Sequence, residues 1–148
     1  MTVAEDIRTF EILLVEDNPG DSRLVIEAFR DSETLNNLHT VDDGEEAMSF
    51  LLQEGKYADA PRPDLILLDL NLPKKDGREV LAEIKGDFEL RRIPVVIMTI
   101  SSDEEDILNT YNLHVNSYIT KPVDLDNFMN MFKSVEEFWL RVVKLPSS

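Results

Sequence analysis

The chain has 148 residues, 43% hydrophobic and 30% charged, which suits one globular domain with a proper core. With 30 acidic residues against 15 basic the net charge is −15, so phosphate backbones and anionic lipid are repelled, and no direct nucleic-acid or membrane binding is expected. The absence of cysteine excludes disulfides and thiolate metal sites, and no apolar run approaches the roughly 20 residues of a membrane helix.

The opening MTVAEDIRTF has neither the basic nor the apolar region of a signal peptide, which makes the cytoplasm the expected compartment. Residues 1–10 read as an N-terminal extension, and 11–148 as a single domain with a long C-terminal helix and no output domain. The first strand signal is Ile12-Leu13-Leu14-Val15, which ends in Glu16-Asp17. Asn18-Pro19 then offers an N-cap and a first-turn proline to a helix carrying Leu24, Val25, Ala28 and Phe29. A weaker strand over 38–41 leads to Asp43 and Glu46, spaced as a capping box before Ala47, Phe50 and Leu51. The stretch QEGKYADAPRP, 53–63, reads as a surface loop whose role is connection.

Leu65-Ile66-Leu67-Leu68 is the second strong strand and stops at Asp69; after Gly77, Val80, Leu81 and Ile84 recur at helical spacing. Val95-Val96-Ile97-Met98 ends in Thr99, and Ser102 and Glu105 could box a helix bearing Ile107, Leu108 and Tyr111. A weak strand over 115–119 leads to Lys121-Pro122, and the longest helical pattern follows Asp124. None of the strong apolar runs alternates with polar residues, so these strands are expected to be covered on both faces, as in a parallel sheet. Five strands alternating with five helices require right-handed crossovers and helices on both sides.

In such a sheet the carboxyl ends of the strands share one edge, and ligands bind where the strand order reverses. Glu16, Asp17 and Asp69 would meet there and repel one another unless neutralised. A hard divalent cation answers that need, since Mg²⁺ takes carboxylates, a carbonyl and waters; Lys121 can add positive charge. One carboxylate is then left to react.

The set VEDN (15–18), DLNLPKKDG (69–77), MTIS (98–101) and YITKP (118–122) resembles the receiver domain of two-component response regulators over essentially the whole chain. The loop before Asp64 and the ending EEFWLRVVKLP are similar to the single-domain regulators of bacterial and cyanobacterial phytochromes. The resemblance implies a flavodoxin-like (βα)5 fold, with a five-stranded parallel sheet in the order 2-1-3-4-5. It implies a phosphoacceptor rather than an enzyme: Asp69 takes a phosphoryl group from a sensor histidine kinase, a phytochrome being the candidate, and signals through protein contacts. Glu16, Asp17, Asp69 and the Asn71 carbonyl would hold Mg²⁺ or Mn²⁺, Thr99 and Lys121 would bind the phosphoryl group, and Tyr118 would be the switch. The Lys121-Pro122 bond is expected to be cis. Ile100 departs from the small residue usual after the threonine and would slow transfer or hydrolysis. The alternative, an aspartate-nucleophile phosphatase, wants an aspartate where Asn71 stands; a flavin carrier wants a glycine-rich loop after the first strand.

The remaining residues have plainer readings. His39 and His114 are isolated, while Met48, Met129, Met131 and Trp139 fit packing. In the last helix Leu125, Phe128, Met129, Phe132, Val135, Trp139, Val142 and Val143 make one apolar face suited to the sheet. Met131, Phe138 and Leu145 make a second seam, from which a homodimer through this helix is expected.

Overall fold

In the computed structural model the described residues are 9–30, 36–99 and 117–120, together with Asp126, Met129, Asn130 and Lys133. Five strands are present: β1 (Phe10–Val15), β2 (Asn36–Val41), β3 (Leu65–Asp69), β4 (Val95–Thr99) and β5 (Ser117–Thr120). They form one parallel sheet in the order β2-β1-β3-β4-β5, as the resemblance implied. Three helices are described between them: α1 (Pro19–Arg30), α2 (Gly44–Leu51) and α3 (Gly77–Gly86). The expected helix after Ser102, Ile100, His114, Lys121-Pro122 and the second seam of the last helix all lie outside the described residues.

The continuous aliphatic runs are explained by what lies on each face. Side chains alternate across a strand, so Leu13, Val15, Ile66, Leu68, Val95 and Ile97 share one core with Val80, Leu81 and Ile84 of α3 and Ala47, Phe50 and Leu51 of α2. Ile12, Leu14, Leu65, Leu67, Val96 and Met98 face the other way, onto Val25, Ala28 and Phe29 of α1. Met129 packs against this second core, as its place on the sheet-facing stripe anticipates. β3 is buried at every position; β2, at the edge, is half exposed, which is why its sequence signal is weak.

The helix starts follow from their caps. The Asn18 side chain accepts the amide of Asp21 at 3.0 Å, and Asp43 accepts the amide of Glu46 at 2.8 Å. Only this half of the expected capping box is seen at Glu46, whose Oε1 is instead engaged by the Tyr57 hydroxyl at 2.8 Å and the Lys56 ammonium at 2.7 Å. The 53–63 stretch is therefore more than connection. Gly55–Tyr57 forms a single 3₁₀ turn, Tyr57 packs on the core, and its ring lies 5.3 Å from that of Phe50. His39, isolated in sequence, sits in β2 and has partners there: its ring also lies 5.3 Å from Phe50, and Nε2 is 2.8 Å from Glu11.

The Glu46 carboxyl is held below its ordinary value of 4.5, first by the Lys56 hydrogen bond and then by that of Tyr57. A group whose folded pKa is depressed stabilises the fold above its unfolded pKa and loses that contribution as pH falls through the folded value. Tyr57→Phe should cost about 0.5–1.5 kcal/mol in urea unfolding at neutral pH. The gap from wild type should narrow as the solution is acidified below pH 4.5. An equal gap at neutral and acid pH would show that the Tyr57 hydroxyl contributes independently of the Glu46 charge, and no gap at either would show that Tyr57 acts through packing alone.

Candidate functional site

The order β2-β1-β3 reverses direction between β1 and β3, which opens a crevice at the carboxyl ends of these two strands. The chain leaves β1 through Glu16, whose amide donates to the Val41 carbonyl at 3.1 Å and fixes its exit beside β2. Glu16 is only 2% exposed; its Oε2 accepts the Asn18 amide at 3.0 Å, so the residue that caps α1 also orients this carboxylate. Asp17, next in sequence, is exposed at the mouth.

Asp69 ends β3 and is 1% exposed. Its Oδ1 accepts the Asn71 amide at 3.0 Å. Oxygens of Glu16, Asp17 and Asp69 lie within 4.8 Å of one another. At that separation, two unit charges in an effective dielectric near 20 repel by about 3–4 kcal/mol. Three carboxylates, two of them buried, form a hard-oxygen donor set that fits a divalent cation of the Mg²⁺ or Mn²⁺ kind.

Thr99 terminates β4, one residue beyond Met98, which is the register partner of Asp69; it pairs with Thr120 of β5, and Tyr118 pairs with Ile97. The backbone thus brings the ends of β1, β3, β4 and β5 to one edge. Lys121, the expected cation, lies outside the described residues. Beside Glu16 and Asp17 a cavity of about 530 Å³ runs along α1 past Ser22, Arg23 and Ile26.

Close approaches position the loop after Asp69. A Cβ on Gly77 would collide with the Asp69 carbonyl and the Leu70 backbone, so glycine alone lets α3 start against the end of β3. The Gly77 amide donates to the Leu70 carbonyl at 3.1 Å and closes the loop. Gly44, at the start of α2, meets the Lys75 carbonyl in the same manner. Lys74 adopts φ 65°, a left-handed conformation that costs a residue with a Cβ about 1–3 kcal/mol. The sequence reading passed over these contacts. The available signals were the two glycines, each following an aspartate at a strand-to-helix turn.

A family model of the response regulator receiver domain matches residues 12–133. The chain belongs to the response regulator receiver family. Response regulator Rcp1 of Synechocystis sp. is 54% identical over 137 residues, covering 93% of either chain. The phosphorylated cyanobacterial phytochrome response regulator RcpA has 57% identity and a TM-score of 0.78, over 92% of this chain and 97% of its own. The Mn²⁺-bound form of Rcp1 gives 54% and 0.77, over 90% and 96%.

This receiver is a phosphoacceptor, not a classical enzyme, and its partner is a histidine kinase. Receivers bind Mg²⁺, and the acidic cluster of this chain suits it. Nothing in these likenesses favours a phosphatase. Among the described residues no helix is long and apolar enough to cross a membrane.

Asp17→Asn removes one charge from the cluster without changing its shape. Mg²⁺ affinity, read by titration, should fall about tenfold or more, because affinity follows the charge of the ligands. The metal-free variant should unfold at higher urea than metal-free wild type, since repulsion is relieved. An unchanged Mg²⁺ titration would remove Asp17 from the metal site.

Proposed function

We propose that Asp69 accepts the phosphoryl group, that Glu16, Asp17, Asp69 and the Asn71 carbonyl hold Mg²⁺, and that the donor is the phosphohistidine of a phytochrome kinase. The observation that carries this reading is the buried Asp69 carboxylate at the end of β3, within 4.8 Å of two further carboxylates. A phytochrome as donor is supported by the likeness to RcpA and by that to a bacteriophytochrome response regulator at 41% identity.

Phosphoryl transfer asks for positioning and charge stabilisation more than covalent assistance. An Asp69 oxygen attacks phosphorus in line, the P–N bond of the phosphohistidine breaks, and the imidazole leaves with its electron pair and takes up a proton. When bound, the cation offsets the charge of the carboxylates and of the phosphoryl oxygens. The Asn71 amide holds one Asp69 oxygen and so presents the other. Burial keeps water from competing for the carboxylate. Thr99 and Lys121 are assigned to the phosphoryl group and Tyr118 to the switch that answers it, by their places in the family motif. The product adds about −1.5 to −2 charges at one point, enough to bias a two-state element beside it.

Partners follow from the same properties. A net charge of −15 argues for protein contacts over nucleic acid or membrane, and a histidine kinase as donor supports a cytoplasmic exchange. Residues 11–148 are read as one receiver unit. The second apolar seam of its last helix supports a homodimer. Sedimentation of wild type should show that dimer at micromolar concentration and its loss in Phe138→Asp; identical monomeric profiles would end the proposal.

The assignment of Asp69 is tested by Mg²⁺-dependent labelling with acetyl phosphate, the modified residue being mapped. Asp69→Asn should keep the circular dichroism of the fold and lose stable labelling altogether. Undiminished aspartyl labelling in that variant would transfer the role to another residue.

A further inference from the structure

Asp43 is 6% exposed, and its two oxygens face different elements. Oδ1 caps α2 through the Glu46 amide, while Oδ2 lies 3.6 Å from the Lys74 ammonium. Capping alone does not account for a carboxylate here. Asparagine or serine caps equally well, and burying a charge is unfavourable unless the charge is partnered. The partner belongs to the loop that follows Asp69. Lys74 presents its amine from the left-handed φ of 65°, a conformation its own side chain disfavours, so something must hold it there. The next residue repeats the contact, since the Lys75 carbonyl sits where a Cβ of Gly44 would be. Further ties of the loop run to α3, through Lys75 and Glu83 at 2.6 Å and Asp76 and Arg78 at 3.3 Å, and to the core through Leu70 and Leu72. Asp43-Gly44 is thus where α2 grips the segment between Asp69 and Gly77.

We propose that Asp43 is a positioning residue for phosphorylation: paired with Lys74, it clamps the 70–76 loop to the start of α2 and thereby keeps the Asn71 amide on Asp69. The proposal rests on Asp69 as phosphoacceptor. It assigns to α2, which supplies no atom to the crevice, a part in the geometry of the reacting carboxylate.

Three variants separate a clamp from a cap. Asp43→Asn keeps the cap and removes the charge. Lys74→Gly removes the amine and suits the positive φ, so the fold should be no less stable. Lys74→Arg keeps the charge. Two readouts are used: hydrogen exchange at the Asn71 and Gly77 amides of the unphosphorylated protein, and the rate of acetyl phosphate labelling at saturating Mg²⁺.

Asp43→Asn and Lys74→Gly should each speed exchange at Asn71 and slow labelling by about two- to fivefold, the range of a partly exposed ion pair. Mg²⁺ affinity should stay as in wild type, and Lys74→Arg should restore both readouts. The double variant should be no worse than either single one, as for two ends of one interaction. Unaltered exchange at Asn71, or single effects that simply add, would overturn the clamp and leave Asp43 a helix cap. Exchange that responds to the variants, with a wild type that takes no label on Asp69, would leave the clamp standing and refute the Asp69 assignment instead.

Discussion

The mutual repulsion of three carboxylates held within 4.8 Å of one another is the constraint on which the rest of this molecule turns. Left alone, the three would separate. Glu16 and Asp69 have nowhere to go, because each is anchored at the end of a strand that is buried on both faces. The aliphatic runs of β1 and β3 contribute more than core volume. They make the backbone rigid enough to hold like charges together, and the free energy of packing the two cores offsets the electrostatic cost. A divalent cation held among the three would relieve that repulsion.

Parallel topology makes this possible without long-range design. The carboxyl ends of β1, β3, β4 and β5 share one edge, where the segments after β1 and at the end of β3 bring three carboxylates together. The turns that follow are short and specified by side chains close in sequence: Asn18 caps α1 and also orients Glu16, and Gly77 lets α3 begin against Asp69. The same residues build the helix starts and the crevice. By that economy a change in a turn here should be felt in the crevice as well as in stability.

Legibility in the sequence followed the range of the interactions. Strands β1, β3 and β4 are continuous apolar runs set by burial on both faces, and each ends in the polar residue that marks the crevice, so Glu16, Asp17 and Asp69 could be read from local pattern and topology alone. β2 was fainter because an edge strand need not be apolar throughout. The contacts that escaped join segments distant in sequence. Tyr57 bridges back to Glu46, which broke the expected box, and Asp43 meets Lys74 across the sheet edge. No periodicity encodes these pairs, and a lysine at positive φ leaves no compositional trace.

The scale of screening decides which cation can serve the crevice. At physiological ionic strength the Debye length is about 8 Å, so monovalent salt damps the long-range field of a surface with net charge −15. The three carboxylates lie well inside that length, and two of them are buried, so bulk salt leaves their repulsion nearly intact. A cation bound among them can offset it where bulk salt does not. The surface charge can therefore vary freely with partner and solubility, while the charge within the crevice is fixed by what must bind there. On the proposed reading, phosphorylation of Asp69 would add further negative charge at that same point, with the whole acidic surface already screened. On that reading the signal is carried by the local balance between carboxylates, cation and phosphoryl group. If so, elements such as the 70–76 loop, which brings the Asn71 amide to Asp69, bear on it more closely than the many charges outside.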